Sequence, residues 1–529
     1  MVRKKVQVWL PLLFSIVMAL GMMIGYQLRA KTTGGNSFLH NDNTTPLQEA
    51  VNLIKNKYVD NINMDSLDSP AINGLLDKLD PHSVYIPADE LDAMNEDLQG
   101  NFQGIGIEFQ MLKDTVNVMN VIPDGPSFKA GVQVGDKIIA VSDSVNLTGS
   151  NISSEDVRKQ LRGDNGSSVM ITVLRGTLKQ KIKITRGIIP LYSLDAAYML
   201  DSMTGYIKLN KFAETTYREF MQSMEKLQKQ HMQKLVLDLR NNGGGIMQEA
   251  VEIADEFLDE DKLIVYTQGE HSPRQDYHCS KDGVFEKGKL VVLVDETSAS
   301  ASEILAGALQ DWDRATIIGR RTFGKGLVQQ QFNLSDGSAM RLTVARYYTP
   351  IGRNIQKPYD KGHEQYEEEL VNRFHDGELV TGDTSKPKGK AFKTPNGHTV
   401  YGGGGITPDI FVPFDTSSQP RNIIDLFARG TIRNFVYNYY VENRNRFQQY
   451  KSPEQLHMQF HMGENEWHEL QSFAVKDSID LKNTNPTAKS FVLQQMENLL
   501  ARQIWRSEGF YELSNADDAM IKKAMEVMK

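Results

Sequence analysis

The chain runs to 529 residues, 40% of them hydrophobic and 24% charged, which suffices for more than one globular core and excludes disorder throughout. A formal net charge of −8, with no basic stripe and no aromatic-plus-basic repeat, sets nucleic-acid binding aside. Cys279 is the only cysteine, so an intrachain disulfide, a thiolate metal cluster and a CxxC redox pair are ruled out.

Arg3, Lys4 and Lys5 precede an uncharged run of 23 residues, Val6 to Leu28, and a bilayer core needs about 20 helical residues. The run is longer than the apolar region of a signal peptide and ends in Leu28-Arg29-Ala30 without a small-x-small cleavage site. Residues 1–30 therefore read as an uncleaved signal-anchor, with a cleaved signal peptide as the alternative. The basic residues stay in the cytoplasm and the rest of the chain lies outside it, in the periplasm of a bacterial cell envelope.

Residues 31–46 are polar and glycine-containing and read as a linker. LQEAVNLIKNKYV and SPAINGLLDKL carry helical spacing and predict a small helical segment over 47–97. Between 98 and 187, short alternating runs such as DTVNVMNVI and SSVMITVLRG flank one amphipathic helix, SEDVRKQLRG, and predict a compact module of short strands. From 188 to 415 the pattern is mixed α/β: TGYIKLN, KLVLDLR, KLVVLVD and ATIIG read as strands of a largely parallel sheet, joined by helices. A charged stretch over about 357–393 reads as an inserted loop or surface hairpin. The remainder, 416–529, reads as helical.

One junction carries chemistry. KLVVLVDETSASASEILAGAL reads strand, turn, helix, and a serine there can sit where unpaired helix N–H groups stabilise an anionic intermediate. Ser300-x-x-Glu303 also matches a capping box, the purely structural reading. Lys325, between two glycines, is the candidate base, because burial can move a lysine from about 10.4 toward 7–8. Gly319-x-x-x-x-Gly324-Lys325 falls short of a phosphate loop, since Gly326 offers no hydroxyl and LVQQQFNL reads as a strand. His457 and His461 are four apart, but Met458 stands where a zinc hydrolase keeps its glutamate, so no metal site is expected.

These residues resemble the C-terminal processing peptidases, or tail-specific proteases, over roughly 47–413. The motifs are LDPHS at 79–83, GNFQGIGIEF at 100–109, DLRNNGGG at 238–245, SASASE, FGKGLVQQ and VYGGGGITPDI at 400–410. The resemblance implies a PDZ domain over 98–187 and a crotonase-like serine protease core over 188–415. It also implies Ser300 as nucleophile, Lys325 as base and Gln329 as the residue that helps hold the dyad. Ala301 and Gly244 would give the oxyanion amides, although Gly243 stands where the family has proline. Gly104-Ile105-Gly106-Ile107 would be the carboxylate-binding loop, with Val157 and Leu161 lining the groove and core packing an equal reading for Leu161. Arg162 either contacts the protease domain or is simply solvated.

The expected activity is extracytoplasmic endoproteolysis of proteins with free C-terminal tails, without cofactor. A membrane-tethered PDZ adaptor that binds tails without cutting them is the alternative. The resemblance does not cover the C-terminal helices, for which a dimer interface, a cover over the active site or the seat of a partner all stay open.

Overall fold

The computed structural model describes residues 14–24, 45–63, 65–142, 145–149, 151–382, 389–415 and 419–529. They form two compact units, Met1–Ala71 and Ile72–Lys529. In the first, residues 14–24 are helical, and Thr45 caps the helix Pro46–Lys57 in a capping box with Gln48. The rest of the expected anchor, and all but the end of the expected linker, lie outside the described residues. Among the described residues no helix is long and apolar enough to cross a membrane.

The second unit opens with the PDZ-like module. Five antiparallel strands, Ile107–Leu112, Thr115–Val121, Lys137–Val141, Ser168–Arg175 and Leu178–Thr185, follow one another across its sheet. The helix Ser154–Leu161 is capped by Ser153 and Asp156 and lays Val157 and Leu161 into a core with Val116, Val118, Ile138, Ile171 and Val173. Alternate residues of the strands face that core, as period-two patterning requires.

The protease-like core is built on a six-stranded sheet in the order Leu194–Met199, Thr204–Leu209, Lys234–Asp238, Lys289–Val294, Thr316–Gly319, Ile410–Phe411. Its first pair is antiparallel and the others parallel. The helices Thr216–Gln228, Met247–Asp255 and Ala301–Asp311 supply buried side chains to the main apolar core. A second sheet joins Val84–Ile86, Ala339–Tyr348, Leu263–Gln268 and Gln275–His278, with Leu327–Asn333 also paired to Ala339–Tyr348.

The helical extension divides in two. Residues 421–505 form a bundle around Ile432, Phe447, Trp467, Leu470, Val492 and Leu500. The helix Pro486–Ser514 then breaks at Trp505 and Arg506, where φ is −120° and +62°. Beyond the break the chain returns to the protease sheet, packing Tyr511, Met520, Ile521, Ala524 and Met528 on Tyr206, Val236, Val291, Leu293 and Ile318. The bundle also meets the PDZ-like module: Tyr437 Oη donates to Val118 O at 3.1 Å, and Val134 packs into the bundle core.

Candidate active site

Ser300 occupies the turn between the strand Lys289–Val294 and the helix Ala301–Asp311, with φ +55° and ψ −114°. A non-glycine residue holds such a conformation only where its surroundings over-determine it. Here they do. Ser298, fully buried, donates to Leu239 O at 2.8 Å, and its hydroxyl accepts from Asp295 N at 3.0 Å. Ser302, also fully buried, donates to Asn242 O at 2.9 Å, and Ala299 N–H reaches the same carbonyl at 3.0 Å. The outer two serines of the alternation thus shape the turn, and none of these bonds uses the Ser300 hydroxyl.

Glu303 is more than a cap. Its carboxylate is fully buried and accepts from Ser300 N–H at 2.9 Å, Lys325 N–H at 2.9 Å, Gly324 N–H at 2.7 Å and the Thr322 hydroxyl. Thr322 Oγ1 in turn accepts from Ile406 N–H at 2.6 Å. On the other side of the same two residues, the buried Tyr347 hydroxyl donates to Lys325 O and lies 3.3 Å from Ser300 O. Two buried side chains therefore pin the backbones of Ser300 and Lys325 together. Burial pushes the Glu303 carboxyl up to about 7 against the pull of its four donors. From sequence Glu303 reads only as the capping-box partner of Ser300 and Tyr347 carries no signal, although a carboxylate inside an otherwise apolar helix signals that it has partners.

The Lys325 ammonium is held below the usual lysine range, chiefly by burial and also by Arg341, while Glu303 and Asp80 oppose the shift. The direction is the one a general base requires. Gln329 stands four residues on, in the strand Leu327–Asn333, and its Nε2 donates to Thr343 Oγ1 at 3.2 Å. The chain after Lys325 is a strand, which a phosphate loop cannot have there.

Gly244 lies against the nucleophile. With φ +96° it can approach so closely that an added Cβ would meet Ala299 O at 2.6 Å, Ser300 Cβ at 2.7 Å and Ala301 N at 2.9 Å. Its own N–H donates to Asn242 Oδ1 at 2.9 Å. Ala301 is fully buried at the first helical position, where an N–H has no intrahelical acceptor.

The 357–393 stretch differs from the expected surface hairpin, because its described part contains the helix His363–His375 and walls in the base-bearing loop. Lys357, 2% exposed, sits with Nζ 3.9 Å from the Phe323 ring centre and 4.1 Å from that of Tyr366, and its N–H donates to Gly324 O at 2.9 Å. Arg373 donates to the carbonyls of Thr322, at 3.2 Å, and Arg321, at 2.6 Å, and pairs with Glu378. The run from Arg321 to Lys325 is thereby held from outside as well as by Glu303.

In the PDZ-like module, Gly104, Ile105, Gly106, Ile107 and Leu161 line one cavity of about 100 Å³, together with Phe102, Phe109, Arg158 and Arg162. Gly106 adopts φ +75°, which favours glycine. Val157 does not share this lining: it is fully buried in the module's core. Arg162, its side chain 38% exposed, pairs with Glu96 of the helix Ala88–Gln99 at 2.7 Å and lies over the Phe102 ring at 5.1 Å.

Comparison with known proteins bears on this geometry. Peptidase family S41 matches residues 203–364, and the PDZ domain family matches 103–185. The family described as the activating protease CtpB N-terminal domain matches 25–90, and a family of unknown function matches 423–506. A carboxy-terminal-processing protease from Bartonella bacilliformis is 35% identical over 309 residues, covering 57% of this chain and 70% of its own length. The chain belongs to the C-terminal processing peptidases of family S41.

A "Probable CtpA-like serine protease" from Staphylococcus haemolyticus is 36% identical over 58% of this chain, and the match spans 62% of that relative's length. Among solved structures, a photosystem II C-terminal processing protease is 32% identical, with 59% of this chain and 83% of that one covered and a TM-score of 0.35. The PDZ domain of a carboxy-terminal protease from Vibrio cholerae, solved with a peptide, is 27% identical over 17% of this chain and 99% of its own, with a TM-score of 0.16. The region matched as S41 contains Ser300, Lys325 and Gln329, and the region matched as PDZ contains the Gly104–Ile107 loop.

Proposed function

We propose that this chain is an extracytoplasmic serine endopeptidase that captures protein C-terminal tails through its PDZ domain and cuts them with a Ser300–Lys325 dyad. The observation that carries the reading is the shared hub. Glu303 accepts from the N–H groups of both residues, so nucleophile and base are positioned by one buried carboxylate. Val6–Leu28 serves as the inner-membrane anchor, and the tail adds to the free edge of the strand Ile107–Leu112.

Neutral Lys325 takes the Ser300 hydroxyl proton as Oγ bonds to the substrate carbonyl carbon. The oxyanion of the tetrahedral intermediate is held by Ala301 N–H and by Gly244 N–H, which leaves Asn242 Oδ1 as substrate enters. Lys325 then gives its proton to the leaving amine, and water activated by the same lysine hydrolyses the acyl-enzyme. Gln329 helps hold Lys325. Acyl transfer of this kind needs no metal or organic cofactor. Tail binding supplies energy that favours the aligned arrangement, which couples recognition to cleavage.

The test is cleavage of an unstructured protein with an apolar C-terminus by the full chain, beside Ser300→Ala and Lys325→Ala at matched folding. Cleavage lost in both variants supports the dyad. Cleavage surviving in either reassigns the nucleophile or base, and tail binding without any cleavage by the unmodified chain favours the adaptor.

A further inference from the structure

We infer that Asp80 is a positioning residue for the dyad: by accepting the hydrogen bond of the Thr343 hydroxyl, it turns the Gln329 amide so that its carbonyl oxygen faces Lys325. The inference rests on the Ser300–Lys325 reading above. Its geometry begins in the turn Leu79–Ser83, which leads into the strand Val84–Ile86. That strand pairs with Ala339–Arg341 and so sets the turn beside the strand carrying Thr343.

Asp80, 6% exposed, spends both oxygens locally. Oδ1 accepts from Thr343 Oγ1 at 2.8 Å and from His82 N–H at 2.9 Å, and Oδ2 accepts from Ser83 Oγ at 2.6 Å. While donating to the carboxylate, the Ser83 hydroxyl accepts from Thr343 N–H at 3.1 Å. Thr343 is thus held from two directions by the same turn.

Polarity then propagates. A hydroxyl has one proton, and a carboxylate can only accept, so the Thr343 proton is committed to Asp80. Whatever approaches Thr343 Oγ1 from the other side must donate. Gln329 is the cross-strand partner of Thr343, and its Nε2 makes that approach at 3.2 Å. The amide cannot flip without setting its carbonyl against an oxygen that has no proton left to give. Its Oε1 is therefore kept as an acceptor for the ammonium that Lys325 becomes after taking the serine proton.

Lys325 lies within electrostatic reach of this cluster. Asp80 and Glu303 favour its protonated form and Arg341 opposes it. His82 lies within the same reach. Burial, helped by the charge of Lys325, holds the His82 imidazole down to about 4, so it is neutral near pH 7, and its Nε2 is 2.8 Å from Tyr366 Oη.

The experiment compares the full chain with Asp80→Asn, Thr343→Ser and Thr343→Val in two readouts. One is kcat and KM against pH on an unstructured protein with an apolar C-terminus. The other is the pH dependence of Lys325 acetylation by acetic anhydride, followed by mass spectrometry, which needs no turnover. Asp80→Asn is expected to lower kcat about tenfold with KM little changed, and to move the Lys325 titration to lower pH in both readouts. Thr343→Val is expected to lower kcat similarly and to move that titration in the same direction but less than Asp80→Asn, because the Asp80 charge remains, and Thr343→Ser to retain activity.

An unmoved Lys325 titration in Asp80→Asn, or Thr343→Val at the kcat of the unmodified chain, overturns the inference. If Asp80→Asn fails to fold, the Thr343 pair decides. Failure of the dyad reading shows itself separately, as cleavage surviving in Ser300→Ala or Lys325→Ala.

Discussion

Ser298, Ser300 and Ser302 differ by two residues and do different work, because a helix start turns consecutive side chains to different neighbours. The outer two are spent on carbonyls of the adjacent strand and loop. The motif spacing made Ser300 and Lys325 legible in the sequence. Glu303 was legible only as a cap, since three of its four donors come from a segment some twenty residues away and only the fold brings them in. Glu303→Gln keeps the volume but presents N–H where two donors already point, whichever oxygen is replaced. We expect about 2–5 kcal/mol lost in urea unfolding, at about 1–3 kcal/mol for each buried donor left without an acceptor, with cleavage abolished. Arg341 gives a prediction with a sign. Its charge disfavours protonated Lys325 and lowers the lysine's pKa, and activity requires the neutral lysine. Arg341→Gln therefore raises that pKa, and the acid limb of the kcat/KM profile moves to higher pH.

At the scale of elements, local periodicity served where an element packs on what its own pattern dictates. TGYIKLN, KLVLDLR, KLVVLVD and ATIIG all enter one sheet, and SEDVRKQLRG is the helix of the PDZ-like module. The 357–393 stretch departs from the expected hairpin because its charges, which suggest a solvated surface, are spent within the fold: Glu378 pairs with Arg373, and Glu369 and Glu378 pair with Arg321 of the base loop. Nor did the sequence reveal the break at Trp505–Arg506, where apolar residues continue at helical spacing on both sides. Arg506, at φ +62° and ψ −150°, adopts a conformation that costs a residue with a Cβ about 1–3 kcal/mol. Its guanidinium reaches Glu108 at 3.4 Å, an exposed pair worth little. Arg506→Gly should raise stability by about 1 kcal/mol, less the entropy that glycine adds to the unfolded chain, as read by denaturant midpoint.

Across the whole molecule, the five antiparallel strands of the PDZ-like module follow one another within 98–187 and the six-stranded sheet lies within 188–415, whereas the second protease sheet takes Val84–Ile86 from ahead of the module. From sequence the helical region, 416–529, reads as one block, since residues 507–529 look no different from the bundle before them. Their partners are strands two to three hundred residues earlier: Lys289 Nζ donates to Met528 O at 3.1 Å, and Arg240 pairs with Asp518 at 2.7 Å. Ending the chain after Trp505 uncovers Tyr206, Val236, Val291, Leu293 and Ile318 on the face of the sheet that carries the turn before Ser300. The truncated chain is expected to aggregate or to bind a hydrophobic dye strongly, measured by light scattering and dye fluorescence, where the full chain does neither.

The return of the chain to the sheet makes the bundle a parenthesis rather than a suffix. Its neighbours on either side, the strand Ile410–Phe411 and the segment from Tyr511 onward, both belong to the protease core. No stop codon can remove the bundle and spare the enzyme. Excision has to be internal, splicing the chain near Asp415 to the chain near Ser507, and it also strips the PDZ-like module of the surface on which Tyr437 and Val134 meet it.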